Sequence, residues 1–273
     1  MDLYTQLLMM FVPSITGLAL LVLLLFGYFY RELPREIPSL AIGNRSLYGQ
    51  SPILSTIENP TKFMRNILLF VLGVRISLFI ASYLAIPIEL VAVLGSILLL
   101  GWRWFYLKIT PADMMKKTPW HIFLFAFGMY VVVYGLHNIG LTNWLVQFIQ
   151  PILSRDLLSA SIMMGGVMTL LSSLFNNHPA LMIGTLSLTQ MELDSLNLKM
   201  AYLASVIGSD VGALLLPMGT LASLIWLHLL KQANVTIRWK DYVKVTVFVI
   251  PTTLFFSLIL LYVWVVWVLG GYV

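Results

Sequence analysis

The chain has 273 residues, of which 60% are hydrophobic and 10% charged, and its mean hydropathy is +0.93. A water-soluble domain carries about 25% charged residues to cover its surface, so most of this surface faces lipid. The net charge of +5 comes without a Lys/Arg stripe long enough to track a phosphate backbone, which argues against nucleic-acid binding, and the absence of cysteine excludes disulfides, thiolate metal sites and cysteine nucleophiles. Asp2 stands where a secretory leader would carry a basic n-region and no small-residue cleavage site follows, so a cleavable signal peptide is not expected.

A membrane span needs about 20 mostly apolar residues. Leu7 to Tyr30 is free of charge and predicts the first span. A linker over residues 31–62, rich in Pro and mixed charge, leads to a second span at 63–85, which contains Arg75. The Ile86-Pro87 turn opens a third span at 88–107, and 120–139 and 242–269 predict two more. Between 157 and 230 the pattern is irregular. The apolar run Leu157–Phe175 stops at Asn176-Asn177-His178-Pro179 and resumes at Ala180–Leu188; the run Met200–Val211 breaks at Gly212–Gly219 and resumes as Thr220–Leu230.

Loop charges decide how these pieces cross. The segments 31–66, 103–119 and 231–244 carry five, four and four basic residues, 13 of the 16 in the chain, and the positive-inside rule makes all three cytoplasmic. That sidedness holds only if 157–190 enters and leaves on one face as a re-entrant hairpin and 200–230 is one broken span. Arg155 and Lys199 then lie outside, and Arg75 is the basic residue within the membrane. The expected architecture is a single all-α, polytopic transmembrane domain over 1–273.

Backbone left unpaired inside a bilayer costs several kcal/mol per group unless protein or a water-filled cavity satisfies it, so two adjacent breaks point to a polar cavity at membrane depth. Pro179 suits the first turn of the second hairpin arm, where no N–H is needed. Asn176 and Asn177 offer amides at the tip, and Ser172 and Ser173 add hydroxyls one turn earlier. Gly212, Pro217 and Gly219 interrupt the second segment, and Thr220 is placed to cap the half-helix that follows. Asp210 is the carboxylate well inside a predicted span; inserting it costs on the order of 3 kcal/mol, and its place at a helix C-terminus favours a proton or cation. Its alternative role is a structural partner for Arg75 or a helix cap. His178 at the tip and Arg75 are further candidates, each with a structural reading beside the functional one. No H-E-x-x-H or G-x-S-x-G pattern occurs, so no catalytic residue, metal site or cofactor is assigned and an enzyme is not expected.

Three stretches together, FAFGMYVVVYGLHNIGLT at 125–142, LSSLFNNHPALMIGTL at 171–186 and VIGSDVGALLLPMGTLASLIWLHLL at 206–230, with the tail TIRWKDYVKV, resemble the arsenical pump membrane proteins (ArsB) of the wider ion transporter superfamily. The similarity runs from about residue 85 to the end, more loosely before it, and corresponds to the C-terminal part of that family. It implies one half of an inverted-repeat carrier that exports arsenite or antimonite from the bacterial inner (plasma) membrane, driven by protons or by a soluble ArsA-type ATPase. By position, Asn176, Asn177 and Pro179 match the family's N-N-x-P hairpin tip. Gly208, Asp210, Gly212, Pro217 and Gly219 match its G-x-D-L-G-P-x-x-T-P-I-G broken helix, with Ala213 in place of Pro and Leu216 in place of Thr. The partner repeat is not in the chain, so an N-terminal half from another polypeptide, or a second copy forming a homodimer, is expected to complete the site, unless the sequence is a fragment. Two other functions stay open: a cation/proton antiporter or organic-anion carrier of the same superfamily, and a non-transporting subunit or truncated remnant.

Overall fold

The computed structural model describes residues 3–32, 60–84, 86–107, 118–232 and 234–270, together with 112 and 115–116. Residues 33–59 of the expected linker lie outside the described residues. The described helices, in chain order, are α1 (Leu3–Phe29), α2 (Pro60–Tyr83), α3 (Ile88–Leu107), α4 (Trp120–Asn138), α5 (Leu141–Leu153), α6 (Leu157–Phe175), α7 (Asn177–Gln190), α8 (Ser195–Gly212), α9 (Leu221–Gln232) and α10 (Trp239–Gly270). Five of them, α1, α2, α4, α6 and α10, are long and apolar enough to cross a bilayer. The described structure is all-α, and the chain is a multi-pass membrane protein.

Two compact units divide the chain. One comprises Met1–Ser39 and Trp120–Val273; the other is Leu40–Pro119. In the second unit α2 and α3 pack as a pair, with Gly95 against Val74, and Arg75 is exposed on α2.

The first unit is built around α6 and α8. Lipid tails are as apolar as leucine, so membrane helices associate through close backbone approach and polar contacts, and small residues make both available. Gly208 faces the backbone of Gly165, and Gly212, one turn later, faces Thr169; a Cβ at either glycine would collide with α6. The Thr169 hydroxyl donates to the Gly165 carbonyl at 2.8 Å and approaches the Gly208 carbonyl at 3.2 Å, so one side chain bonds both helices. Met164, Met168, Ile183, Met200 and Leu203, each at most 1% exposed, fill the core around this crossing. Helix α10 carries α1 along its flank, where the Trp264 indole N–H donates to the Leu8 carbonyl at 3.0 Å.

Caps define where α6 and α8 begin. Asp156 accepts the Ser159 N–H at 2.8 Å and Asp194 accepts the Leu196 N–H at 3.1 Å. The Ser159 backbone N–H, helped by its hydroxyl, holds the Asp156 carboxyl below the usual aspartate range. The apolar pattern predicts no span between 139 and 157, whereas the structure has α5 there, with Leu145, Ile149 and Leu153 buried on one face. Its shortness, two glutamines and Pro151 hide it from a search for spans, although the i, i+4, i+8 spacing of those three residues is a helical signal.

Candidate functional site

A single residue, Asn176, separates α6 from α7. Gly184 packs on Met168, eight residues either side of Asn176, so the two arms fold back on one another as a hairpin. Turning the chain in one residue forces Asn176 to φ 74°, ψ 152°, a region that is essentially glycine's and costs on the order of 1–3 kcal/mol for other residues. Its side chain is 3% exposed, and its Nδ2 has no hydrogen-bond partner. Buried unpaired donors typically cost about 1–3 kcal/mol. Strain and an unused donor on one residue mark the tip as more than a connection.

The first turn of α7 leaves no spare backbone donor. The Asn177 N–H donates to the Gly219 carbonyl at 3.0 Å, the His178 N–H to Asn177 Oδ1 at 2.9 Å and the Ala180 N–H to the Asn176 carbonyl at 3.1 Å, while Pro179 has none to offer. This end of the helix is therefore not an open anion cradle of the kind that binds phosphate or carboxylate.

After Gly212 the helix stops, and residues 213–220 cross to α9 in a tight irregular turn. Its carbonyls are supplied with donors from α10: the Tyr242 hydroxyl donates to Leu214 at 2.9 Å and the Thr246 hydroxyl to Leu215 at 2.8 Å. The Leu216 carbonyl accepts the Gly219 N–H at 3.0 Å. Gly219 lies so close to the Ala213 carbonyl that a Cβ there would collide with it. Thr220 caps α9, its Oγ1 accepting the Ser223 N–H at 2.9 Å. Non-helical backbone in a membrane protein is tolerated where protein satisfies it, and Tyr242 and Thr246 supply donors to this break.

The hairpin tip and the break meet. Besides the Asn177–Gly219 bond, the Asn177 side chain extends Nδ2 to 3.5 Å from Asp210 Oδ1, at the outer limit of a hydrogen bond. Asp210 is exposed, and no described Lys or Arg of this unit pairs with it. Asn177 Oδ1 also lies 2.7 Å from His178 Nδ1, so one amide links an imidazole and a carboxylate. Beside them is a cavity of about 260 Å³ lined by Ala126, Tyr130, Asn176, His178, Pro179 and Leu221.

The remaining candidates take different positions. Pro217 is buried within the break. Gly208 and Gly212 lie in the α6–α8 contact, where they permit the approach that carries Asp210 to the tip. Ser172 and Ser173 are buried and donate back to the carbonyls of Thr169 and Leu170 at 3.2 and 2.8 Å. Arg75 belongs to the second unit. The sequence reading did not single out Tyr130, Tyr242 or Thr246. The last two lie one turn apart at the start of an apolar span, and that polar i, i+4 pair is the signal that points to them.

The profile of the arsenical pump membrane protein family matches residues 5–265. The chain belongs to that family. The match reaches well before residue 85, where the resemblance in sequence becomes loose to inspection. A putative arsenical pump membrane protein of Bacillus subtilis (strain 168) is 50% identical over 98% of this chain and 62% of its own length. Arsenical pump membrane proteins of Yersinia enterocolitica and Escherichia coli (strain K12) are 33% and 29% identical, over 75% and 90% of this chain and 47% and 55% of theirs. The chain thus spans about half to three-fifths of the length of these ArsB relatives. No solved structure matches it.

Proposed function

We propose that this ArsB-family chain takes part in arsenite and antimonite efflux across the bacterial inner (plasma) membrane, with the hairpin tip and the broken span forming its share of the substrate and proton site. The observation that carries this reading is the junction of the two breaks, where Asn177 bonds the Gly219 carbonyl at 3.0 Å and reaches Asp210 at 3.5 Å. Discontinuous helices that meet with their ends at one place are how many carriers build such sites. Arsenous acid is a small neutral hydroxide at neutral pH, and amides, an imidazole and a carboxylate suit its O–H groups. An organic-anion carrier would keep the first-turn N–H groups of α7 free, and here all are taken. Asp210 is the group suited to bind the coupling proton; a soluble ATPase is the alternative source of energy. The chain covers about half to three-fifths of its relatives' length, and the share of the site proposed is the one its own hairpin and broken span build.

The proposed sidedness places the basic segments 31–66, 103–119 and 231–244 in the cytoplasm and makes 157–190 re-entrant. The bond from Gln150 Nε2 to the Glu192 carbonyl, 3.5 Å long, supports it, because it brings the far end of α7 back beside α5 and the entry to α6. The test of function is arsenite and antimonite efflux from cells expressing this chain alone, then with the N-terminal part of a relative. Efflux in either cell supports the reading; sensitivity equal to cells lacking the chain in both overturns it.

A further inference from the structure

We propose that His178 is a substrate-selecting residue whose Nε2 accepts a hydrogen bond from an O–H of a neutral hydroxide in the tip cavity. This rests on the reading of the tip as the substrate site and adds a specific atom to it. The His178 backbone N–H can only donate, so its 2.9 Å bond identifies the neighbouring side-chain atom of Asn177 as oxygen. The same oxygen is 2.7 Å from His178 Nδ1. Oxygen in an amide accepts, so Nδ1 must carry the ring proton. In the neutral ring Nε2 is then a bare acceptor, and among the described residues it has no protein partner.

The fixed amide has a second consequence. With Oδ1 turned to His178, Nδ2 of Asn177 is the atom that faces Asp210. Asp210 therefore receives a donor through the same side chain that sets the imidazole tautomer. His178 and Asn176 line one cavity; the Asn176 Nδ2 has no hydrogen-bond partner but is buried. The cavity thus offers an acceptor on His178, and Tyr130 adds a hydroxyl-bearing residue to its wall. A neutral hydroxide both donates and accepts; a fully ionised oxyanion has no O–H to give to Nε2. The pairing selects the protonated, neutral form of the substrate.

Glutamine and asparagine separate the two ring nitrogens, because the longer amide reaches where Nε2 sits and the shorter one only where Nδ1 sits. Arsenite transport is measured in the cells that show efflux, for wild type, His178→Ala, His178→Asn and His178→Gln. The expected result is a KM raised about tenfold for Ala and Asn and restored toward wild type by Gln. Rescue by Asn and not Gln, or no change in any variant, overturns the assignment. Nitrogen-15 NMR of the purified chain provides a readout independent of transport: the histidine signal lost in His178→Gln should be that of the Nδ1–H tautomer, and the opposite tautomer overturns the assignment. Loss of efflux in Asp210→Asn with normal efflux in His178→Ala removes the role of His178 alone. Absence of arsenite efflux from the wild type removes the functional reading and this inference with it.

Discussion

The backbone N–H of Asn177 donates to the carbonyl of Gly219 across 3.0 Å, joining the tip of the α6–α7 hairpin to the turn between α8 and α9. Each break leaves backbone groups that its own helix cannot satisfy, and this bond uses a donor from one to satisfy an acceptor of the other. It also sets the distance between the Asn177 amide and Asp210, so the proposed site forms only when both breaks are formed.

Asp210→Asn keeps the size of the side chain and removes its charge. Because the residue is exposed and outside the core, insertion and abundance in the membrane should match wild type while proton-coupled arsenite efflux falls to background. Arsenite exclusion equal to wild type would sink the proposed role.

Gly208→Ala places a methyl group against the Gly165 carbonyl, which is backbone and cannot swing aside. Overpacking of this kind costs about 1–3 kcal/mol, to be read as a lower unfolding midpoint in detergent or nanodiscs. Gly166→Ala, with nothing within 4 Å of the new carbon, is the control and should hold or raise the midpoint. Equal effects of the two would refute the tight α6–α8 crossing.

Tyr242→Phe and Thr246→Val each strip a donor from a carbonyl of the broken segment. A loss of about 1 kcal/mol is expected for each, with faster hydrogen exchange confined to residues 213–219. Exchange unchanged there would mean that α10 does not support the break.

Asp156 lies at the head of α6, and its pKa is lowered from 3.8 chiefly by the Ser159 N–H. A depressed folded-state pKa contributes stability that is present above the unfolded value and is lost as pH falls through the folded one. The first turn of α6 should therefore stay protected at pH 4–5, near and above the usual aspartate value of about 3.9, and fray only at lower pH. Hydrogen exchange of Ser159 and Ala160 follows this, and Asp156→Ala should abolish the pH dependence.

The chain has no cysteine, so a single introduced thiol reports sidedness without background. Ser195→Cys, at the exposed first residue of α8, should react with an impermeant maleimide added outside intact cells. Reaction only after the cytoplasmic face is opened would refute the re-entrant hairpin.

Some of this was legible in sequence because its causes are local. Apolar runs longer than a bilayer is thick announce helices, and the Asn176–Pro179 and Gly212–Gly219 stretches interrupt them through their own backbone propensities. The capping of α9 by Thr220 and the place of Pro179 in the first turn of α7 follow from the same short-range rules. What tertiary structure alone decided is which groups meet. Residues 177 and 219 are brought together because Gly208 and Gly212 let α8 lie against α6, and no pattern within either segment encodes that approach. Tyr242 and Thr246 serve the break from another helix, and the tautomer of His178 depends on an amide whose orientation appears only once the turn is closed. Length and composition therefore determined a membrane protein with two interruptions, because hydrophobicity and backbone propensity act over a few residues. The junction of the two breaks arose from packing, because hydrogen-bond geometry there depends on every helix that holds it.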